Sequence, residues 1–152
     1  MKKLIALLLS LSCLFSLAAC GVDKGETFGA EGTSEDWGIT LTAQNVTSTG
    51  MTLICTQSGG IAAGSLETGA DYTLEVSTDG KIWSAVEPLS EPVWDMMSRL
   101  IPREESVEWE INWEWLYGEL GAGQYRICKT ITLYGESGAL KSQFYCAEFE
   151  IT

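Results

Sequence analysis

Beyond residue 36, apolar and polar residues alternate with a period of two along most of the chain. Ile39, Leu41 and Ala43 fall on one face, and Thr40, Thr42 and Gln44 on the other. Met51, Leu53 and Cys55 repeat the pattern against Thr52, Ile54 and Thr56. Tyr72, Leu74 and Val76 do so against Thr73, Glu75 and Ser77. Successive side chains of a strand point to opposite faces, so this period predicts half-buried β-strands. The cleanest stretch is Val107-Trp109-Ile111-Trp113, interleaved with Glu108, Glu110, Asn112 and Glu114. A helix would scatter those tryptophans around its circumference; a strand puts them on one face.

Turn residues punctuate the pattern. Asp79-Gly80 predicts a tight hairpin with a return strand over residues 82–86, because both residue types tolerate positive φ. Residues 57–69 are rich in Gly and Ser and read as loop or weak strand. Residues 87–104 are broken by Pro88, Pro92 and Pro102, with a short helical turn or irregular crossover expected over 94–101. Two long strands, 124–134 and 139–151, are joined by Gly135-Glu136-Ser137-Gly138. The total is about seven antiparallel strands with frequent turns, an all-β sandwich over residues 37–152. Centring the last hairpin on Ser137 sets Tyr125 opposite Phe149, Arg126 opposite Glu148 and Cys128 opposite Cys146.

The N-terminus follows another logic. Lys2 and Lys3 precede an apolar run from Leu4 to Leu17, and Ala18-Ala19 lead to Cys20. This has the shape of a secretory signal peptide and is too short for a spanning helix. The ending Leu17-Ala18-Ala19-Cys20 resembles the lipobox of bacterial lipoproteins. That resemblance implies a signal peptide over 1–19 and a diacylglyceryl group on the Cys20 thiol, with Cys20 as first mature residue. Two acyl chains hold a protein firmly to a membrane where one is marginal. Residues 20–36 contain four glycines and five acids after Cys20 and read as a flexible tether.

Composition narrows the chemistry. The 152 residues hold 21 acids, 9 bases and no histidine, for a net charge of −12. Removal of Lys2 and Lys3 with the signal takes the charge to −14. Such a chain lacks the positive footprint of a nucleic-acid binder. It also repels anionic headgroups, so the body is expected to stand off the membrane. The absence of histidine removes Ser-His-Asp and Cys-His catalysis and His-ligated metals. No cofactor, metal site or catalytic residue is expected.

A second resemblance covers about residues 37–152. Leu116 to Ile127 looks like the E–F corner of an immunoglobulin-like domain, with Tyr125 as the corner tyrosine. Trp37-Gly38-Ile39-Thr40-Leu41, Thr56-Gln57-Ser58-Gly59-Gly60, Trp113-Glu114-Trp115-Leu116-Tyr117-Gly118 and Ala147-Glu148-Phe149-Glu150-Ile151 are similar to a family of bacterial Ig-like domains. Those domains occur in cell-surface proteins, chiefly of Gram-positive bacteria. The resemblance implies an immunoglobulin-like β-sandwich and no assigned chemistry. It departs from antibody domains at Ile127, where their second cysteine would stand, and in lacking a strand-C tryptophan.

The candidate residues are few. Cys128 and Cys146 would sit on the outward face of the last hairpin; the sequence leaves open whether they pair. Cys55, on the inward face, reads as a small buried hydrophobe. Trp109 and Trp113 share the parity of Val107 and Ile111 and read as core. Trp83, Trp94 and Trp115 lie nearer turns and are candidates for stacking a sugar ring. Glu104, Glu105, Glu108, Glu110 and Glu114 read as a solvated acidic face. The chain is thus expected to be a non-enzymatic surface lipoprotein, anchored through Cys20 at the extracytoplasmic face of a cell membrane. Its Ig-like domain would serve adhesion, scaffolding or accessory binding to an envelope protein. The alternative is a carbohydrate- or cell-wall-binding module.

Overall fold

A computed structural model describes residues 35–152; the expected signal peptide, Cys20 and most of the tether lie outside the described residues. The described residues form nine strands and one helical turn. In order these are β1 Ile39–Gln44, β2 Gly50–Gln57, β3 Ser65–Thr68, β4 Thr73–Ser77, β5 Trp83–Ala85, β6 Arg99–Ile101, β7 Ser106–Asn112, α1 Glu114–Tyr117, β8 Gly123–Gly135 and β9 Gly138–Ile151.

All pairings are antiparallel, in two sheets. The first sheet runs β1-β2-β7. The second is built around β8, which pairs along its length with β9. On its other side β8 pairs first with β4 and then with β3, with β5 outside β4 and β6 outside β3. Leu41, Met51, Leu53 and Cys55 from the first sheet meet Leu74, Ile127, Ile131 and Phe149 from the second in one buried core. This is a β-sandwich, and its pairs follow the expected alternation of inward apolar and outward polar residues.

Nine strands replace the expected seven. The additional ones are β3, in the stretch read as loop or weak strand, and β6, in the stretch read as a short helical turn or irregular crossover. They have four and three residues, too few to display a period. The β4–β5 hairpin also differs. Its connection spans residues 78–82, since Ser77 pairs with Trp83. The Asp79 carboxylate accepts from the Lys81 and Ile82 amides at 2.8 and 2.9 Å, making a side-chain-stabilised loop in place of a two-residue turn. At the other end of β7, the strand stops at Asn112, and Trp113 opens the helical turn.

The last hairpin has the register centred on Ser137, with Tyr125 opposite Phe149 and Arg126 opposite Glu148, until a bulge after Leu133. Arg126 forms its ion pair with Glu75 on β4. The Tyr125 hydroxyl donates to Gly121 O at 3.0 Å, tying the start of β8 back to the preceding turn as a tyrosine corner does. The N-terminal segment docks through backbone proximity. A Cβ on Gly60 would stand 2.4 Å from the Trp37 carbonyl carbon, so no larger residue fits there. Gln57 completes this corner: its Nε2 donates to Trp37 O at 3.0 Å and its Oε1 accepts from Glu104 N at 2.8 Å.

Candidate functional site

The second sheet contains a break that creates a cleft. Thr68 pairs with Ile131 and Thr73 with Cys128, so residues 69–72 stand opposite only Lys129 and Thr130 of β8. The four-residue stretch cannot stay in the ladder, and its carbonyls are released. The next strand out is interrupted at the same level. It leaves the sheet after Ala85 and returns at Arg99, so residues 86–98 make an excursion over the break. Leu89 N donates to Leu116 O at 2.7 Å, which carries this excursion to the helical turn α1.

Lys129 occupies the break. Its neighbours in parity are Tyr125, Ile127, Ile131 and Leu133, so its side chain enters the sandwich, where the residue is 3% exposed. Nζ donates to Gly69 O at 2.9 Å and to Asp71 O at 2.8 Å. It also lies 5.4 Å from the centre of the Trp109 ring. These contacts are what allow a buried ammonium: carbonyl dipoles and an aromatic face replace part of its water. The replacement is incomplete. Burial brings the Lys129 pKa down to about 8, against an opposing pull from Asp71.

Aromatic rings line the rest of the cleft. Trp94 descends from the excursion and packs 4.9 Å from Tyr72 and 5.4 Å, edge to face, from Trp115. Trp109 supplies another wall. Tyr72 donates its hydroxyl to Asn112 O at 3.3 Å, and burial pushes its pKa up, so it stays neutral. The cavity holds about 300 Å³, at the small end for ligand clefts. Trp115 forms its rim and is 49% exposed. Flat rings with a few polar groups bind a partner with one apolar face and one hydrogen-bonding edge.

Of the three tryptophans singled out in the sequence, the structure brings Trp94 and Trp115 together and sets Trp83 elsewhere. The Arg126 guanidinium lies 4.7 Å over the Trp83 ring, so one face of that ring is already occupied. Trp113 is fully buried and stacks on Phe149 at 5.5 Å. Trp109, expected in the core with it, is only partly buried, because β7 is the edge strand of its sheet and its ring faces the cleft. Lys129 and Tyr72 were not anticipated. Lys129 had a legible signal: a lone charge at an inward position between Ile127 and Ile131.

The cysteines are placed as follows. Cys128 and Cys146 face each other with Cα atoms 4.1 Å apart and are joined by a disulfide. Cys146 is exposed and Cys128 buried. Cys55 is a free, fully buried thiol whose pKa burial pushes up to about 11. Such a thiol is a poor nucleophile. The acidic run does not converge on a point. Glu104 accepts from Gly59 N and Ser58 Oγ, while Glu110 accepts from Thr52 Oγ1. Among the described residues no three acidic or cysteine side chains are grouped as metal ligands.

Residues 33–150 match the family model of a bacterial Ig-like domain, and the chain belongs to that family. No curated protein and no solved structure matches it.

Proposed function

From its place among the bacterial Ig-like domains, which typically occur on surface proteins, we propose that this protein is a lipid-anchored, non-enzymatic adhesion module. Its anchor is the diacylated Cys20, at the extracytoplasmic face of a bacterial cell membrane, and residues 20–36 are its tether. Its ligand is a saccharide taken up in the cleft of Trp94, Trp109, Trp115 and Tyr72. The observation that carries this reading is the gathering of Trp94 and Trp115, with centroids 5.4 Å apart, at the rim of a cavity. Sugar rings present apolar C–H faces to such walls and hydroxyls to the polar groups between them.

A second reading is favoured by the excursion itself. Residues 86–98 hold Leu89, Val93, Met96 and Met97 out to solvent, with Met96 100% exposed. An apolar segment of this kind is a feature of protein-docking surfaces. In this reading the partner is an envelope protein, and the cleft is the pocket for one of its side chains.

The anchor is tested by fractionation. Wild type is expected in the detergent-soluble membrane fraction as the processed form. Cys20→Ala is expected to be released or to stall unprocessed. A Cys20→Ala protein that still fractionates as mature membrane protein would contradict the lipid anchor.

A further inference from the structure

The saccharide reading of the cleft leaves its buried cation unused, and the inference here rests on that reading. A neutral sugar needs rings and hydrogen-bonding groups. It does not need an ammonium held inside a sandwich. Lys129 has three N–H donors; Gly69 O and Asp71 O take two of them, which leaves one for the cavity it lines. Among the described residues no carboxylate forms an ion pair with Lys129. Arg99, the other cation on the cavity, is already paired with Asp95 at 3.0 Å. Glu110, also on the cavity, accepts from Thr52. A buried cation without a counter-ion bears a desolvation cost that an arriving anion reduces.

We propose that the cleft binds an acidic saccharide of the uronate type, its ring against Trp94 and Trp115 and its carboxylate on Lys129 Nζ. Charge sets the size of the ligand. The mature chain carries −14, so its long-range field repels an extended polyanion, whereas one carboxylate meets Lys129 at close range. A cavity of about 300 Å³ agrees with a short ligand or a chain end.

The test uses the full chain purified in detergent and titrated with glucuronic acid and with its methyl ester. The two share a ring, and only the acid carries a charge. The acid is expected to bind about ten-fold tighter, the worth of one charge-assisted hydrogen bond. Lys129→Met is expected to lose the preference and bind acid and ester alike. Near-UV circular dichroism establishes that the variant is folded. If it is not, wild type is titrated across pH. Lys129 is faced by Asp71 from the strand break, Asp95 and Arg99 from the excursion and β6, Cys55 from β2 and Glu110 from β7. The advantage of the acid should shrink as the pH rises past about 8 while ester binding stays level. Equal binding of acid and ester by wild type, or a preference that survives in folded Lys129→Met or at high pH, would overturn the carboxylate assignment and leave the saccharide reading standing. No binding of either sugar by folded protein would count against both.

Discussion

Lys129 and Trp109 meet across the sandwich. The ammonium of a residue on β8, in the second sheet, lies 5.4 Å from the ring centre of a residue on β7, in the first. The contact joins the two sheets at the level where β3 and β4 part, and it holds a charge where a core residue would ordinarily be apolar.

Stability should therefore rise with pH in a narrow alkaline window. Folded Lys129 gives up its proton near pH 8, and an unfolded lysine near 10.5. Between those values the unfolded chain binds more protons, so raising the pH favours the folded state. Below pH 8 both states are charged and the full penalty of burial stands. Cys55 acts in the opposite sense from pH 9.0 to about 11, where the folded chain keeps a proton that the unfolded chain loses. The window left is pH 8 to 9, across which the unfolding free energy should increase by about 1 kcal/mol. Urea titrations at intervals across it give the slope. Lys129→Met should flatten it, and a falling curve in wild type would count against a buried, charged Lys129.

The Cys128–Cys146 bond closes a segment with a sequence separation of 18. Loop-closure entropy gives such a crosslink about 3 kcal/mol. Because β8 and β9 are already adjacent strands of one hairpin, the observed loss on reduction should be somewhat smaller, about 2 kcal/mol. Far-UV circular dichroism should keep its strand signal in the reduced protein while the urea midpoint falls. An unchanged midpoint would mean that the two thiols are not paired.

Two buried indoles should respond differently to the same substitution. Trp113 Nε1 donates to Ser48 O at 2.9 Å, whereas Trp37 Nε1 is buried without a partner. A buried donor left unpaired is unfavourable, so Trp37→Phe removes a liability together with some packing. Trp113→Phe removes packing and a hydrogen bond. The second change should be more destabilising than the first by about 1 kcal/mol, measured by chemical denaturation. The reverse order would show that packing volume, not the indole N–H, dominates at these sites.

How much of this was legible in the sequence depended on the length of each element. The last hairpin supplied its own register, because opposed pairs such as Tyr125–Phe149 and Cys128–Cys146 agree over a long ladder. The corner tyrosine was legible through the resemblance of Leu116 to Ile127 to an immunoglobulin E–F corner, and its hydroxyl does tie back to Gly121 O. β3 and β6 were not, because short strands carry no period and take their conformation from the β8 edge they pair with. The cleft was legible only in pieces. Trp94 and Trp115 are distant in sequence, and nothing local says that the excursion returns Trp94 to Tyr72. Lys129 was visible as a break in an apolar alternation, yet its meaning depends on the carbonyls of residues 69 and 71, which only the fold brings to it.

The most direct test of the account is a titration of the full chain with a panel of cell-wall and host glycans, read by intrinsic tryptophan fluorescence. Trp94, Trp109 and Trp115 all line the cleft, so an occupying sugar must alter their emission. A saturable change is expected with at least one glycan and is expected to be lost in Trp115→Ala, a substitution at a 49% exposed position, with near-UV circular dichroism checking that the variant is folded. A folded protein that responds to no glycan, or a response that persists undiminished in Trp115→Ala, would contradict saccharide binding at this cleft and leave the exposed excursion as a surface for a protein partner.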